Sequence, residues 1–304
     1  MRLRLGRPDI NAYLDRFDVP PADDGLAVTF LGVSSLLIDD GSSAILTDGY
    51  FSRPSLARVG LGKIAPDPTR IASALDRAGI AVLDAVIPVH THFDHALDSA
   101  DVAIRTGAPL VGGPSAAQVG RGSALPEARI IVVTPSEPLT LGGYELTFVT
   151  SHHCPPDRFP GEITEPVTTP TRAAAFRCGD AWSILLRHNA TGRSALIQGS
   201  AGYVRGALAG RSADVAYLGV GQLGLQSPDY IETYWNETVR AVSARRAVLI
   251  HWDDFFRPLD EPLRALPYAG DDLDATMSVL TRLAKRDGVT LNFPTVFARE
   301  NPWA

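Results

Sequence analysis

The chain has 304 residues, of which 45% are hydrophobic and 20% charged, and its formal net charge is −6 at pH 7. This balance is that of an ordinary globular protein, and such a length can bury a sizeable core. The acidic charge argues against a dedicated nucleic-acid-binding protein, which needs a basic face. Two cysteines, Cys154 and Cys178, form no CxxC pair, and no apolar run has signal-peptide or membrane-spanning length. We therefore expect a cytoplasmic protein.

The first part of the chain is predicted to begin as a β-meander, because short apolar or alternating runs are separated by Gly32 and by a turn at residues 39–41. Further on, Pro68 in the first turn and Gly79 at the end delimit a predicted helix. The predicted elements are strands at residues 26–31, 35–38, 44–46, 85–89 and 109–111 and helices at residues 68–78 and 98–107.

In the second part of the chain, a long loop at residues 154–172 interrupts the predicted strands, and it contains five prolines. The predicted elements of this part are strands at residues 130–133, 145–150, 173–176, 182–187, 195–197, 214–219, 247–250 and 290–293 and helices at residues 229–241 and 273–285. No linker or change in composition divides the chain, so we expect a single domain over residues 1–304. Runs of strands with helices between only some of them predict a mixed α and β fold with two sheets.

Six of the seven histidines directly follow predicted strands, where side chains are held rigidly at a sheet edge. In the cluster at residues 90–95, His90 and His92 are two residues apart and point the same way on an extended chain, so they can bind one ion. Asp94 and His95 lie just past the strand and can face a second ion. Imidazole and carboxylate suit zinc, and catalytic zinc usually has three protein ligands. The remaining candidate ligands lie at the ends of later strands: His152, His153 and His251.

The His-x-His-x-Asp-His cluster after a strand resembles the signature of the metallo-β-lactamase superfamily. Other motifs of that family have counterparts in the same order over residues 26–255: Asp48 in the segment LTDGY, His153 or His152, and His251. The resemblance implies an α+β fold, an αββα sandwich of two mixed β-sheets flanked by helices, with the metals at one edge. The residues around His251 resemble those of the family branch that contains L-ascorbate-6-phosphate lactonase and N-acyl-phosphatidylethanolamine phospholipase D.

The resemblance also implies a role for each motif residue. One metal would be held by His90, His92 and His153, and the other by Asp94, His95 and His251. Asp48 would orient the site, and Asp94 could receive a proton. The metal would be zinc, as one or two ions, with manganese or iron as alternatives. A metal-bound hydroxide would then cleave an ester, lactone or phosphodiester bond in a small-molecule substrate.

One departure from the family pattern concerns the bridging ligand. Ser200 stands where many hydrolases of the superfamily place a metal-bridging aspartate, and a serine hydroxyl is a poor metal ligand. We therefore expect the metal on the Asp94 side to bind more weakly. A subclass of true metallo-β-lactamases shares this ligand set, so β-lactam hydrolysis is an alternative, although the sequence carries no export signal. Further alternatives are a non-catalytic member and an iron-dependent redox member of the fold.

Weaker signals concern residues near these motifs. The GxGxxG pattern at residues 219–224 is interpreted as a glycine-rich loop near the metal site, because no helix opens on it. Trp252 is expected to be a core or site-wall aromatic, with the wall favoured because it adjoins His251, and His188 is expected to be solvated in a hairpin turn. Arg158 and Arg172 flank the proline-rich loop and could meet an anionic substrate, although exposed arginines are more often simply solvated.

Overall fold

The structure is a computed structural model that describes residues 4–304. Its strands are β1 (Ala27–Phe30), β2 (Leu36–Asp39), β3 (Ala44–Thr47), β4 (Ala85–Ile87), β5 (Leu110–Gly112), β6 (Ile130–Val132), β7 (Pro138–Leu141), β8 (Tyr144–Ser151), β9 (Ala181–His188), β10 (Ser194–Gln198), β11 (Val215–Gly219), β12 (Arg246–Ile250), β13 (Thr290–Asn292) and β14 (Arg299–Glu300). Its α-helices are α1 (Leu56–Leu61), α2 (Pro68–Arg77), α3 (Phe93–Ala96), α4 (Ser99–Thr106), α5 (Pro114–Gly122), α6 (Pro228–Trp235) and α7 (Leu273–Asp287).

Several shorter helical segments accompany these elements. Turns of 3₁₀ helix occur at Ile10–Arg16, Glu127–Arg129, Ala173–Ala175 and Leu223–Leu225, and a π-helical segment, Asn236–Arg240, continues α6. None of the helices between residues 4 and 304 combines the length and apolarity needed to cross a bilayer.

The strands form two seven-stranded sheets, with orders β14-β1-β2-β3-β4-β5-β6 and β13-β12-β11-β10-β9-β8-β7. In the first sheet, β1 to β3 pair antiparallel and β3 to β6 pair parallel. In the second sheet, β7 to β10 pair antiparallel and β10 to β13 pair parallel. Both sheets are therefore mixed, as expected.

The side chains along each strand alternate between two buried interfaces, because successive side chains point to opposite faces of a sheet. In β2, Leu36 and Ile38 pack between the two sheets, whereas Leu37 packs outward with residues of α2 and α4. In β11, Tyr217 faces the other sheet and Leu218 packs outward with residues of α6 and α7. The result is a helix–sheet–sheet–helix sandwich, which confirms the predicted fold class.

Some local elements differ from the sequence-based expectation. The strand predicted at residues 173–176 is instead the 3₁₀ turn, because Ala173 and Phe176 pack into the cluster beneath α2 and α4 and pair with no strand. Five elements are not predicted from the sequence: α1, α3, α5, β7 and β14. These segments are short or rich in glycine and proline, so their periodicity is weak.

The strands that carry the candidate ligands end at one edge of the sandwich. The parallel strands β3 and β4 end before Asp48 and His90, so these residues leave the first sheet side by side. In the second sheet, β8, β10, β11 and β12 run in the same direction, since β9 is antiparallel to both β8 and β10. His153 and His251 therefore emerge at a common edge of that sheet.

Candidate metal centre

The first group of side chains at this edge, the first trio, consists of His90, His92 and His153. The Nε2 atom of His90 lies 3.2 Å from Nδ1 of His92. The ring of His153 lies 5.0 Å from the ring of His90 and 4.6 Å from that of His92, between centroids. One ring nitrogen from each residue falls within a 4.8 Å span, so a single cation can contact all three.

The second trio consists of Asp94, His95 and His251, and it adjoins the first. The short helix α3 carries Asp94 and His95, and Oδ2 of Asp94 lies 3.7 Å from Nε2 of His95. The same oxygen lies 3.4 Å from Nε2 of His251. Only 3.9 Å separates the ring centroids of His90 and His95, so two cations held by the two trios would be close neighbours.

Asp48 orients His95 towards the second trio. Its Oδ2 lies 2.7 Å from Nδ1 of His95, and its Oδ1 accepts a 2.9 Å hydrogen bond from the backbone N–H of Val89. The opposite ring atom, Nε2 of His95, is buried and has no hydrogen-bond partner among residues 4–304. A buried nitrogen lone pair that faces a carboxylate and a second imidazole fits a bound cation.

The structure distinguishes the two neighbouring histidines between which the sequence could not choose. His152 is exposed and belongs to neither trio, whereas His153 joins the first trio. Nδ1 of His153 donates a 2.6 Å hydrogen bond to the carbonyl of Cys154, which leaves Nε2 to face the site. The hydroxyl of Ser200 accepts a hydrogen bond from the N–H of Cys154. Ser200 is therefore engaged with the backbone and supplies no carboxylate between the trios.

Asp157 also holds a site histidine, and the sequence analysis missed it. Its Oδ1 lies 3.1 Å from Nε2 of His92, and the carbonyl of Phe159 lies 3.3 Å from the same nitrogen. These contacts turn Nδ1 of His92 towards His90. Asp157 lies in the proline-rich loop, where no periodicity or motif spacing distinguishes one aspartate from another.

Burial and mutual proximity lower the pKa values of His90 and His153 in the first trio. Burial, reinforced by the neighbouring histidines, holds the pKa of His90 well below its usual value. Burial and then His92 lower the pKa of His153 to about 4. In the second trio burial alone would lower the pKa of His251, but the Asp94 carboxylate outweighs it and raises this pKa. Three imidazoles on one side and a carboxylate among imidazoles on the other are donor sets that suit zinc and related ions.

Two of the site residues have left-handed backbone conformations that are uncommon for residues other than glycine. Asp48 has φ 52° and His251 has φ 59°. The N–H of His251 donates a 2.6 Å hydrogen bond to the carbonyl of Val33, itself at φ 53°. Such conformations persist only where surrounding contacts fix them, and they concentrate at functional sites.

The neighbours of His251 confirm one expectation and correct another. A Cβ atom on Gly221 would lie 2.7 Å from Nδ1 of His251, so the glycine-rich loop does adjoin the site. Of the two positions expected for Trp252, the structure shows the core and not the favoured site wall. The ring of Trp252 packs against Phe17 and Phe293, at centroid distances of 6.0 and 5.6 Å, in the core outside the second sheet.

The two trios open into a cavity of about 790 Å³. Both trios contribute to its wall, together with Ser200. Cavities of this size bind small molecules and cofactors in other proteins. The trios are therefore accessible to a small-molecule ligand.

Comparison with known proteins found similarity among solved structures alone: no family model and no curated protein matches the sequence. Igni18, a novel metallo hydrolase from the archaeon Ignicoccus hospitalis KIN4/I, is 13% identical, with a TM-score of 0.52 over 90% of this chain and 96% of that one. The metallo-β-lactamase fold protein YhfI from Bacillus subtilis is 16% identical, with a TM-score of 0.51 over 90% and 98%. CmlA, a diiron β-hydroxylase from Streptomyces venezuelae, is 14% identical, with a TM-score of 0.55 over 92% of this chain and 55% of that one.

These similarities agree with the topology and with the position of the two trios at one sheet edge. The protein has the metallo-β-lactamase fold, as the motif at residues 90–95 predicts. At these levels of identity the similarity establishes the fold. Chemistry and substrate have to be argued from the site itself.

Proposed function

We propose that the protein is a metal-dependent hydrolase of the metallo-β-lactamase superfamily that cleaves an ester, lactone or phosphodiester bond. The observation that carries this proposal is the convergence of five imidazoles and one carboxylate, from three separate chain segments, beside one cavity. His92, Asp94, His153 and His251 form part of the wall of that cavity. Zinc as the metal, a dinuclear site, a cytoplasmic location and a single domain over residues 1–304 are parts of the same proposal.

In this proposal, the six side chains of the two trios are the metal ligands and Asp48 is a positioning residue. A bound divalent metal would supply Lewis acidity, which lowers the pKa of water towards ~7 and polarises the scissile oxygen. Oδ2 of Asp94 faces the second trio and is the site's candidate proton acceptor. Because Ser200 brings no negative charge between the trios, the second trio should bind its metal more weakly than the first.

The alternatives differ in the metal or in the bond that is cleaved. The structural neighbours include a metallo hydrolase and a diiron β-hydroxylase, so the fold by itself is compatible with both chemistries. The serine at position 200 keeps β-lactam hydrolysis open as an alternative. Two complete trios argue against a non-catalytic member, because the loss of function removes the constraint on ligand histidines.

The test is elemental analysis of the purified protein, combined with hydrolysis assays before and after chelation. We expect one to two zinc ions per chain and loss of hydrolysis on chelation that zinc restores. The assays would compare bis(p-nitrophenyl) phosphate, a lactone panel and nitrocefin. Iron without zinc would instead favour the redox alternative.

A matched pair of histidine variants tests the assignment of the ligands. His92→Ala should lose metal and activity, whereas His152→Ala should keep both, since His152 is exposed outside both trios. A His92→Ala protein with full metal content and full activity would contradict the proposal. Metal titration of the apo-protein should reveal two unequal affinities, and two equally tight sites would contradict the role given to Ser200.

A further inference from the structure

The cavity has the opposite charge to the rest of the protein. The chain carries a formal net charge of −6, yet five arginines and only two aspartates line the cavity. The aspartates are Asp94, in the second trio, and Asp254. The arginines are Arg7, Arg158, Arg172, Arg257 and Arg264. A concave site lined by one sign of charge concentrates ligands of the other sign, so this cavity favours anions.

Three of the five arginines are already engaged by acidic side chains. Arg7 and Arg264 both contact Oδ2 of Asp254, at 3.3 and 3.1 Å. Arg257 pairs with Glu261. These arginines shape the wall, and their charge is largely balanced within the protein.

Arg158 and Arg172 are different, because neither guanidinium group has a hydrogen-bond or ion-pair partner among residues 4–304. Both are exposed at the cavity wall, so their guanidinium groups are available to a ligand. A guanidinium offers a planar set of donors that matches the oxygens of a carboxylate or a phosphate.

The chain on either side of Arg158 contacts a residue of the first trio. Arg158 lies between Asp157 and Phe159, and both of these residues contact the ring of His92. The N–H of Phe159 also donates a 2.9 Å hydrogen bond to Asp157, which closes the turn around Arg158. Arg172 lies at the other end of the proline-rich loop, directly before Ala173 and Ala174 in the same cavity wall.

Aromatic and aliphatic side chains form the remainder of the wall. The ring of Phe255 lies 5.7 Å from the ring of His251, and that of Phe159 lies 6.2 Å from His92, between centroids. Phe93 and Phe256 also line the cavity. At its mouth, helix α1 contributes Leu56, which is 62% exposed. This apolar surface lies on both sides of the trios and can bury a hydrophobic group beside the scissile bond.

We propose that the substrate is an amphiphilic oxyanion: its carboxylate or phosphate binds Arg158 and Arg172, and its apolar group packs against the phenylalanine-lined wall. This assignment of a substrate class rests on the proposed hydrolytic function. It predicts that charge and hydrophobicity contribute separately to affinity, through different residues of one cavity.

Calorimetric binding to the metal-loaded protein tests the charged part. The probes are 4-phenylbutyrate, 3-phenylpropyl phosphate and the neutral 4-phenylbutanamide. We expect at least one anion to bind about tenfold more tightly than the amide. Arg158→Gln and Arg172→Gln should each weaken the preferred anion about fivefold and leave the amide unchanged. Arg211→Gln should change nothing, because Arg211 is exposed, does not line the cavity and precedes β11 at the opposite end of that strand.

A second matched pair tests the apolar part. Leu56→Ser should weaken all three probes about threefold, because it removes apolar surface at the mouth of the cavity. Leu61→Ser is the control, since Leu61 lies on the same helix, is 86% exposed and does not line the cavity. If both variants weaken binding equally, or if neither weakens it, α1 is not part of the binding surface. Either result would overturn the apolar half of the proposal.

The charged half is overturned if the arginine variants affect the amide and the anions equally, or affect none of them. The preferred anion also distinguishes carboxylate from phosphate substrates. Because these readouts are binding constants, they separate this inference from the proposed function. Arginine-dependent anion binding without any hydrolysis would contradict the function alone, whereas zinc-dependent hydrolysis without arginine dependence would contradict the substrate class alone.

Discussion

Two site histidines are each held by a carboxylate on the side of the ring that faces away from its trio. Asp48 contacts Nδ1 of His95 at 2.7 Å, and Asp157 contacts Nε2 of His92 at 3.1 Å. Such a carboxylate fixes the tautomer of the imidazole and makes the opposite nitrogen a better ligand. The two pairs belong to different trios. A substitution in one pair should therefore affect one candidate metal position and not the other.

At the residue scale, we predict that Asp48→Asn and Asp157→Asn each weaken metal binding about 10- to 100-fold, because an amide holds the imidazole less well than a carboxylate. Asp48→Asn should affect the second trio, and Asp157→Asn the first. Competition with a chromophoric chelator measures both affinities. Asp76→Asn, on the exposed side of α2, is the control. Unchanged binding in both variants would contradict the positioning role of the two carboxylates.

The loops that follow the strands bring the ligands together. In the loop after β11, a glycine without a side chain leaves room for the ring of His251. Gly221 lies against His251, whose backbone is already held in a left-handed conformation. An added methyl group would lie 2.7 Å from Nδ1 of His251 and 2.9 Å from its Cε1 atom. The ring cannot retain its position beside such a group.

At the element scale, we therefore predict that Gly221→Ala displaces His251 and lowers both activity and metal content at the second trio. The expected loss of activity is about 100-fold, the order that small misplacements of reacting groups produce. Gly143→Ala is the matched control: its nearest neighbours lie at 3.4 Å, and it sits in the turn between β7 and β8. Activity and metal content are measured on both proteins. A fully active Gly221→Ala protein would contradict the role of Gly221 in positioning His251.

His188 illustrates a limit of local patterns. The sequence places it in a polar turn and predicts a solvated side chain, but in the structure it ends β9 and is buried. Its Nδ1 lies 2.9 Å from the hydroxyl of Thr191, and its Nε2 lies 2.9 Å from Asp40, which follows β2 in the other sheet. The prediction was wrong because the partner that buries His188 comes from a distant segment.

A buried ion pair joins the two halves of the molecule. Arg53, after β3 of the first sheet, binds Asp253, after β12 of the second, and both side chains are fully buried. Asp253 also accepts a hydrogen bond from the N–H of Val33, whose carbonyl holds His251. The same contacts thus connect the sheets and support the second trio.

At the scale of the whole molecule, we predict that Arg53→Met lowers the free energy of unfolding by about 3–5 kcal/mol, because it leaves Asp253 buried without a counter-charge. Arg53→Met combined with Asp253→Asn should recover part of this loss. The exposed pair Arg121–Glu127 gives the control, and Arg121→Met should cost much less, because solvent screens an exposed ion pair. Urea unfolding measures these values, and a single transition is expected if residues 1–304 form one domain. A loss no larger in Arg53→Met than in Arg121→Met would refute the role of the buried pair.

Much of the fold was predictable from local pattern. Alternating apolar residues marked most strands, and the cluster at residues 90–95 identified the fold through its resemblance. The same motif, with Asp48 and His251, supplied most of the candidate site. These features are encoded within a few consecutive residues, so a single sequence suffices to find them.

The sequence by itself determined the type of fold and the kinds of side chain available for a metal. Only the tertiary structure decided that His153 rather than His152 joins the first trio, that Asp157 holds His92, and that unpaired arginines line the same cavity. The physical reason is that strand periodicity fixes which face a side chain occupies. The packing of two sheets fixes which distant side chains then meet at their common edge.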